Sequence, residues 1–209
     1  MNIRQSYNIW AAQYDSNQNK TRDLEGKALQ TSLSSISFSI CLEIGCGTGK
    51  NTGWLLQKAK KVTAVDISDE MLARAREKIT ASNVQFIQAD ITQPWNFDHN
   101  HYNLVSFSLV LEHIQHLGLV LKEASLALKP NGYVYIGELH PFKQYTGTKA
   151  RFDTAEGRHV VECYTHHLSD FVQAALENNL SVVEIKEHFD NDDLTTIPRI
   201  LTILLQKVL

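Results

Sequence analysis

Short apolar runs and helix-patterned stretches alternate along most of this 209-residue chain. The runs at 37–44, 61–66, 84–89, 102–108 and 133–139 read as buried strands. Between them lie helical patterns. One spans 48–59. A second opens at Ser68, a good N-cap, with Leu72, Ala75 and Ile79 as its buried stripe, and a third carries Leu117, Val120, Leu121, Ala124 and Leu128 on one face. Such alternation predicts a mainly parallel sheet covered by helices. Residues 91–101 suit a loop and Pro130-Asn131-Gly132 a turn. Leu168, Phe171, Val172, Ala175 and Leu176 mark a later helix, and 180–189 and 199–208 read as two closing strands. The first 35 residues read as helical and polar. Tyr7, Trp10 and Tyr14 share a helical face there, as a packing stripe or as a lid over a site. Residues 140–165 have weaker periodicity and are expected to form a function-bearing insertion.

Composition narrows the class. Hydrophobic residues make up 43% and charged residues 21%, as in an ordinary globular protein. Twenty basic and 23 acidic residues leave a net charge of −3, so no global basic field draws the chain to nucleic acid or anionic lipid. No apolar run is long enough for a membrane span, and the N-terminus has no apolar core of a signal peptide. The three cysteines, Cys41, Cys46 and Cys163, are odd in number, and reduced thiols in a cytoplasmic protein are expected. His113 and His116 are three apart and His166-His167 are adjacent, but no H-E-x-x-H or Cys/His cluster stands in the sequence, so no metal site is expected.

The most specific segment is Glu43-Ile44-Gly45-Cys46-Gly47-Thr48-Gly49-Lys50, which leaves the first strand and opens a helix. In such sheets ligands bind beyond the carboxyl ends of the strands, where the strand order reverses. The loop reads G-x-G-x-G. Lys50 stands where a dinucleotide fingerprint needs its third glycine, and Ile44 and Asn51 break a Walker pattern. Asp66 ends the second strand at a spacing that suits a carboxylate accepting from ribose hydroxyls, and Asp90 follows the third strand.

These residues resemble the class I S-adenosylmethionine-dependent methyltransferases, in the small-molecule, type 11-like branch. The likeness rests on the loop at 43–49, on Val65-Asp66-Ile67-Ser68 with Met71-Leu72-Ala73-Arg74-Ala75-Arg76, and on Gln88-Ala89-Asp90. It continues through Ser108-Leu109-Val110-Leu111-Glu112-His113-Ile114, Leu128-Lys129-Pro130-Asn131-Gly132 and the N-terminal Tyr14-Asp15. Asn103 departs from the pattern, which often has Asp there. The resemblance implies a doubly wound α/β Rossmann-like methyltransferase fold. Its seven-stranded, mainly parallel sheet would have an antiparallel last strand and helices on both faces. One domain is expected, with a lid over 1–35, a cofactor core over 36–139, and an insertion with closing strands over 140–209.

The resemblance also implies a site. Gly45, Gly47 and Gly49, with Cys46, would approach the methionine part of S-adenosyl-L-methionine, and Glu43 would face its ammonium side, directly or through water. Asp66 would bind the ribose, Ile67 and Met71 would border the adenine, and Asp90 and Ile91 would meet its edge. Ser108 and Leu109 would floor the sulfonium, and Tyr14 would close the lid. The implied reaction is in-line methyl transfer to a small-molecule acceptor, leaving S-adenosyl-L-homocysteine. His113 and His140, each following a strand end, are the candidate catalytic bases. Neither a nucleic-acid nor a membrane partner is expected, and the chain would act as a monomer or homodimer. A methyltransferase-like subunit without catalysis and a nicotinamide-dependent oxidoreductase are the alternatives.

Overall fold

The computed structural model describes residues 1–154 and 157–208. The strands are β1 (Ile40–Ile44), β2 (Lys61–Asp66), β3 (Val84–Gln88), β4 (Tyr102–Ser108), β5 (Leu128–Leu139), β6 (Arg151–Thr154), β7 (Gly157–Val160), β8 (Leu180–His188) and β9 (Ile200–Lys207). The helices are α1 (Ile3–Trp10), α2 (Lys20–Ser32), α3 (Thr52–Lys58), α4 (Asp69–Lys78), α5 (Leu117–Ala127), α6 (Pro141–Tyr145) and α7 (Leu168–Leu176).

Seven strands form one sheet in the order β3-β2-β1-β4-β5-β9-β8. Neighbours from β3 to β5 are parallel, and β9 runs antiparallel to both β5 and β8. The last strand is therefore the reversed one, as expected. The order turns back between β1 and β4, which opens a crevice beyond their carboxyl ends.

Burial on both faces explains why the central strands β1, β2 and β4 are mostly apolar. Leu42 and Ile44 of β1 join Val105, Phe107 and Ile136 under α5 and α7. Cys41 joins Val62, Ala64, Leu104 and Tyr135 on the other face, under α2, α3 and α4. A strand buried on both faces has no polar side to show.

Three local expectations change. The helix after the loop begins at Thr52 rather than at residue 48, because 45–51 stay in turns that hold the glycines. Pro130-Asn131-Gly132 lies within the long β5 rather than in a separate turn. The irregularity is absorbed by Asn131 at φ +61° and a register shift between Tyr102 and Leu104. The segment after β5 is not irregular throughout, since it holds α6 and the β6–β7 hairpin.

Candidate active site

At the end of β1 the Gly45 and Cys46 N–H groups donate to Val65 O at 2.8 and 3.0 Å, which lashes the loop to β2. Gly45 has φ +71°, and a β-carbon there would lie 1.8 Å from Val110 Cγ2. Gly47 has φ +52° and open space where a β-carbon would be, so its backbone is bare to the crevice. Its N–H donates to Asp66 Oδ2 at 2.8 Å, and the Ser68 N–H donates to Oδ1 at 2.8 Å. Ser68 Oγ in turn accepts from Met71 N and caps α4. One carboxylate thus joins the glycine loop to the start of the second crossover helix.

These strand ends surround a cavity of about 600 Å³. Gly45 and Gly47 form one wall. Asp66, Ile67, Met71, Asp90 and Ile91 form a second, and Ser108, Leu109 and Val110 a third. Tyr7 and Tyr14 cover it from the N-terminal segment. Asp90 Oδ1 accepts from both N and Oγ1 of Thr92, which fixes the turn after β3. Leu109 carries a left-handed backbone at φ +55°, a strained state for a residue with a side chain, and strain of this kind concentrates at functional sites. Its N–H is held by Gly137 O at 2.8 Å. Glu138 then gathers the N–H groups of Val110, Leu111 and Glu112 at 2.9, 2.7 and 3.3 Å. This buried carboxylate shapes the turn that carries His113 into the cavity wall.

The N-terminal segment is both a packing stripe and a cover. Trp10 packs with Met71 and Phe152, while Tyr7 and Tyr14 face the cavity. Thr48 Oγ1 and Lys78 Nζ donate to Asp15 at 2.6 and 2.7 Å, and Asn8 bonds Ser68 and Asp69. The Arg22 guanidinium lies 3.9 Å over the Tyr14 ring. Burial pushes the Tyr14 hydroxyl up to about 12 against that cation, and pushes Tyr7 up well beyond its ordinary value. Both phenols therefore stay protonated as donors.

Four sequence expectations are displaced. Glu43 does not reach the cavity. Strand alternation turns it to the α3 side, where it accepts from Thr52 Oγ1 at 2.6 Å, and burial raises its carboxyl to about 8. Cys46 is buried behind the loop with its thiol toward Gly47 O, and Gly49 packs against Ala75 and Ile79. His140 is turned away from the cavity. It caps α6 by accepting from Phe142 N at 3.2 Å, and its Nε2 meets Glu187 Oε1 at 3.0 Å. The cause is the antiparallel β9. Arg199 O, just before β9, accepts from the His140 N–H and draws the chain toward the β8 side. Burial lowers the His140 imidazole against the raising effect of Glu187.

His113 does line the cavity. Tyr7 Oη lies 2.7 Å from its Nε2, and its Nδ1 lies 2.7 Å from Glu162 O. Glu162, Ile3, Arg4 and Ile114 were not expected at the site, and Tyr7 was expected there only as one reading of the aromatic stripe. Only Tyr7 had a local signal, through its spacing with Tyr14. Asn103 also finds its role: its Oδ1 accepts from Ser39 N and Ile40 N at 3.2 and 3.1 Å. A neutral amide oxygen suffices to start β1.

The sheet order, glycine loop and strand-end acids are like those of the class I S-adenosylmethionine-dependent methyltransferases. Residues 42–136 match the family model described as a methyltransferase domain. Over 93 residues the chain is 36% identical to a malonyl-[acyl-carrier protein] O-methyltransferase of Priestia megaterium, covering 44% of this chain and 33% of that one. A ubiquinone biosynthesis O-methyltransferase of Hydrogenovibrio crunogenus is 28% identical over 149 residues, covering 66% of this chain and 58% of that one. The chain thus matches less than two thirds of the length of these relatives. The N-methyltransferase NodS from Bradyrhizobium japonicum, solved with S-adenosyl-L-homocysteine, superposes with a TM-score of 0.73 at 20% identity, covering 99% of both chains.

Proposed function

We propose that this protein transfers a methyl group from S-adenosyl-L-methionine to a small-molecule acceptor. The observation that carries the reading is Asp66, a half-buried carboxylate that lines the cavity beside a bare glycine backbone. An ionised carboxylate offers about four acceptor positions. The Gly47 and Ser68 N–H groups use two and the Ile67 backbone adds a third hold, which leaves acceptor capacity for a ribose hydroxyl. Burial raises the Asp66 carboxyl, and the Ser68, Gly47 and Ile67 backbone and His113 oppose that. Gly45 and Gly47 would take the amino-acid part of the cofactor. Ile67, Met71 and Ile91 would flank the adenine, with Asp90 at its edge.

The cofactor supplies an activated methyl group. The chain's part is therefore alignment and exclusion of water, which can account for most of the acceleration. Tyr14 and Tyr7 close the cavity. Ser108 and Leu109 hold the floor between the two halves. Tyr7, His113, Ile114 and Glu162 form the acceptor end, where His113 would meet the nucleophile. Tyr7 and Glu162 lie outside the matched 42–136 segment. That fits relatives whose names include O- and C-methyltransferases: the shared core would hold the cofactor, and segments outside it would choose the acceptor.

Calorimetric titration with S-adenosyl-L-homocysteine tests the reading. The wild type should bind, and Asp66→Ala should bind roughly ten- to a hundredfold more weakly, the worth of a charged hydrogen bond at about 1.5–3 kcal/mol. Absence of binding by the folded wild type sinks the proposal.

A further inference from the structure

At the acceptor end Glu112, His113 and Cys163 converge, and we propose that they form a divalent metal site of the zinc class with an open position toward the cavity. The ion site stands on geometry alone, and its use on an acceptor rests on the methyltransferase reading above. One ligand atom from each residue lies within 4.8 Å of the other two. Glu112 Oε1 is 3.9 Å from His113 Nε2, and Cys163 Sγ is 3.9 Å from Nδ1. Tetrahedral zinc with bonds of about 2.0–2.3 Å holds its ligand atoms roughly 3.3–3.8 Å apart. With the ligand atoms within 4.8 Å of one another, the closure required is at most about 1.5 Å, within the reach of side-chain rotation.

The protons on the imidazole point the same way. A carbonyl oxygen only accepts, so the 2.7 Å contact with Glu162 O puts the proton on Nδ1. Nε2 then presents its lone pair. A metal-bound histidine is held in this manner, with its other ring N–H on a backbone carbonyl. In this structure the lone pair takes the Tyr7 hydroxyl at 2.7 Å. Tyr7 lines the cavity, so the ion's fourth position would open there.

A second, independent observation concerns Glu112. The residue is only 6% exposed, and although its carboxyl interacts with the Cys163 thiol, its Oε2 is buried and has no hydrogen-bond partner among the described residues. A buried carboxylate oxygen left alone is costly, and a cation is the partner that would satisfy it. The donor set selects the ion. A thiolate sulfur, an imidazole nitrogen and one carboxylate suit zinc, whereas magnesium prefers an all-oxygen shell. On binding, the Cys163 thiol gives its proton to solvent as the metal–sulfur bond forms. An acceptor hydroxyl or thiol in the fourth position would be polarised toward loss of its own proton.

The test uses the full chain, stripped of metal with a chelator. Zinc chloride should bind in one equivalent in competition with a chromogenic chelator. Cobalt chloride should produce a near-ultraviolet thiolate-to-cobalt charge-transfer band. Cys163→Ser should abolish that band, and Glu112→Gln should weaken zinc by more than about 100-fold, since loss of a mere supporting contact already costs 10–100-fold. Tyr7→Phe, which removes the competing hydroxyl, should keep or tighten zinc binding. No retained zinc, a cobalt spectrum without the band, a band that survives Cys163→Ser, or weaker zinc binding by Tyr7→Phe overturns the proposal. The wild-type spectrum decides even if a variant misfolds. S-adenosyl-L-homocysteine titrated into the same metal-free protein separates the two readings: a protein that binds that ligand but takes up no zinc defeats only the metal site, and one that takes up zinc but does not bind that ligand defeats only the methyltransferase reading.

Discussion

A single methyl group at Gly45 should damage both the fold and the site. The Gly45→Ala β-carbon would lie 1.8 Å from Val110 Cγ2 and 3.1 Å from Val110 Cβ. Val110 has little room to retreat, because its N–H is held by Glu138 Oε1 at 2.9 Å. The left-handed backbone at φ +71° costs alanine about 1–2 kcal/mol, and overpacking adds about 1–3 kcal/mol. The expected loss is therefore about 2–5 kcal/mol, a large share of the roughly 5–15 kcal/mol typical of a folded domain. Gly47→Ala is the internal control. Its β-carbon meets nothing within 4 Å, so it should lose only the backbone part, about 1–2 kcal/mol. Urea unfolding, read as a shift in midpoint at constant slope, measures both. A Gly45→Ala, Val110→Ala double variant should recover about 1–3 kcal/mol relative to additivity. Equal losses at Gly45 and Gly47, or strict additivity in the double variant, would refute the argument that Val110 sets the demand for glycine.

Other predictions test the displaced residues. Glu43 is raised to about 8 by burial, so its neutral form is favoured in the folded state. The folded protein then holds a proton that the unfolded chain releases near pH 4.5, and stability should fall between about pH 4.5 and 8. Glu43→Gln keeps an acceptor for Thr52 and should make that part of the stability curve shallower, the remaining slope coming from Glu138, which burial also raises to about 8; thermal melts at pH 5 and 8 that leave the slope unchanged would count against it. His140→Ala should cost about 1 kcal/mol through loss of the α6 cap and leave S-adenosyl-L-homocysteine affinity untouched. A tenfold weaker titration of that variant would return His140 to the site.

Much of the fold was legible because burial on both faces leaves a chemical record. β1, β2 and β4 are apolar where the sheet needs them, and Asp66, Asp90 and Ser108 stand at or just past strand ends. Glu43 was misplaced although a local rule bore on it. Strand alternation puts it on the face of Cys41, toward Thr52 and Glu25, while adjacency to the glycines suggested the cavity. His140 was misplaced for a different reason. Its position after β5 is like that of His113 after β4, but β5 pairs with an antiparallel strand and β4 does not.

The sequence by itself determined the parallel core, the glycine loop, and the acid that faces it, because each depends on periodicity or spacing within one crossover unit. Tertiary structure alone decided which histidine enters the cavity. It also decided that Tyr7 meets His113 across 106 positions, and that Cys163 arrives beside it from 50 positions on. Such meetings depend on how crossovers and hairpins return the chain to one strand end. Local pattern records which face of an element is buried, and carries no record of which distant side chain will lie against it.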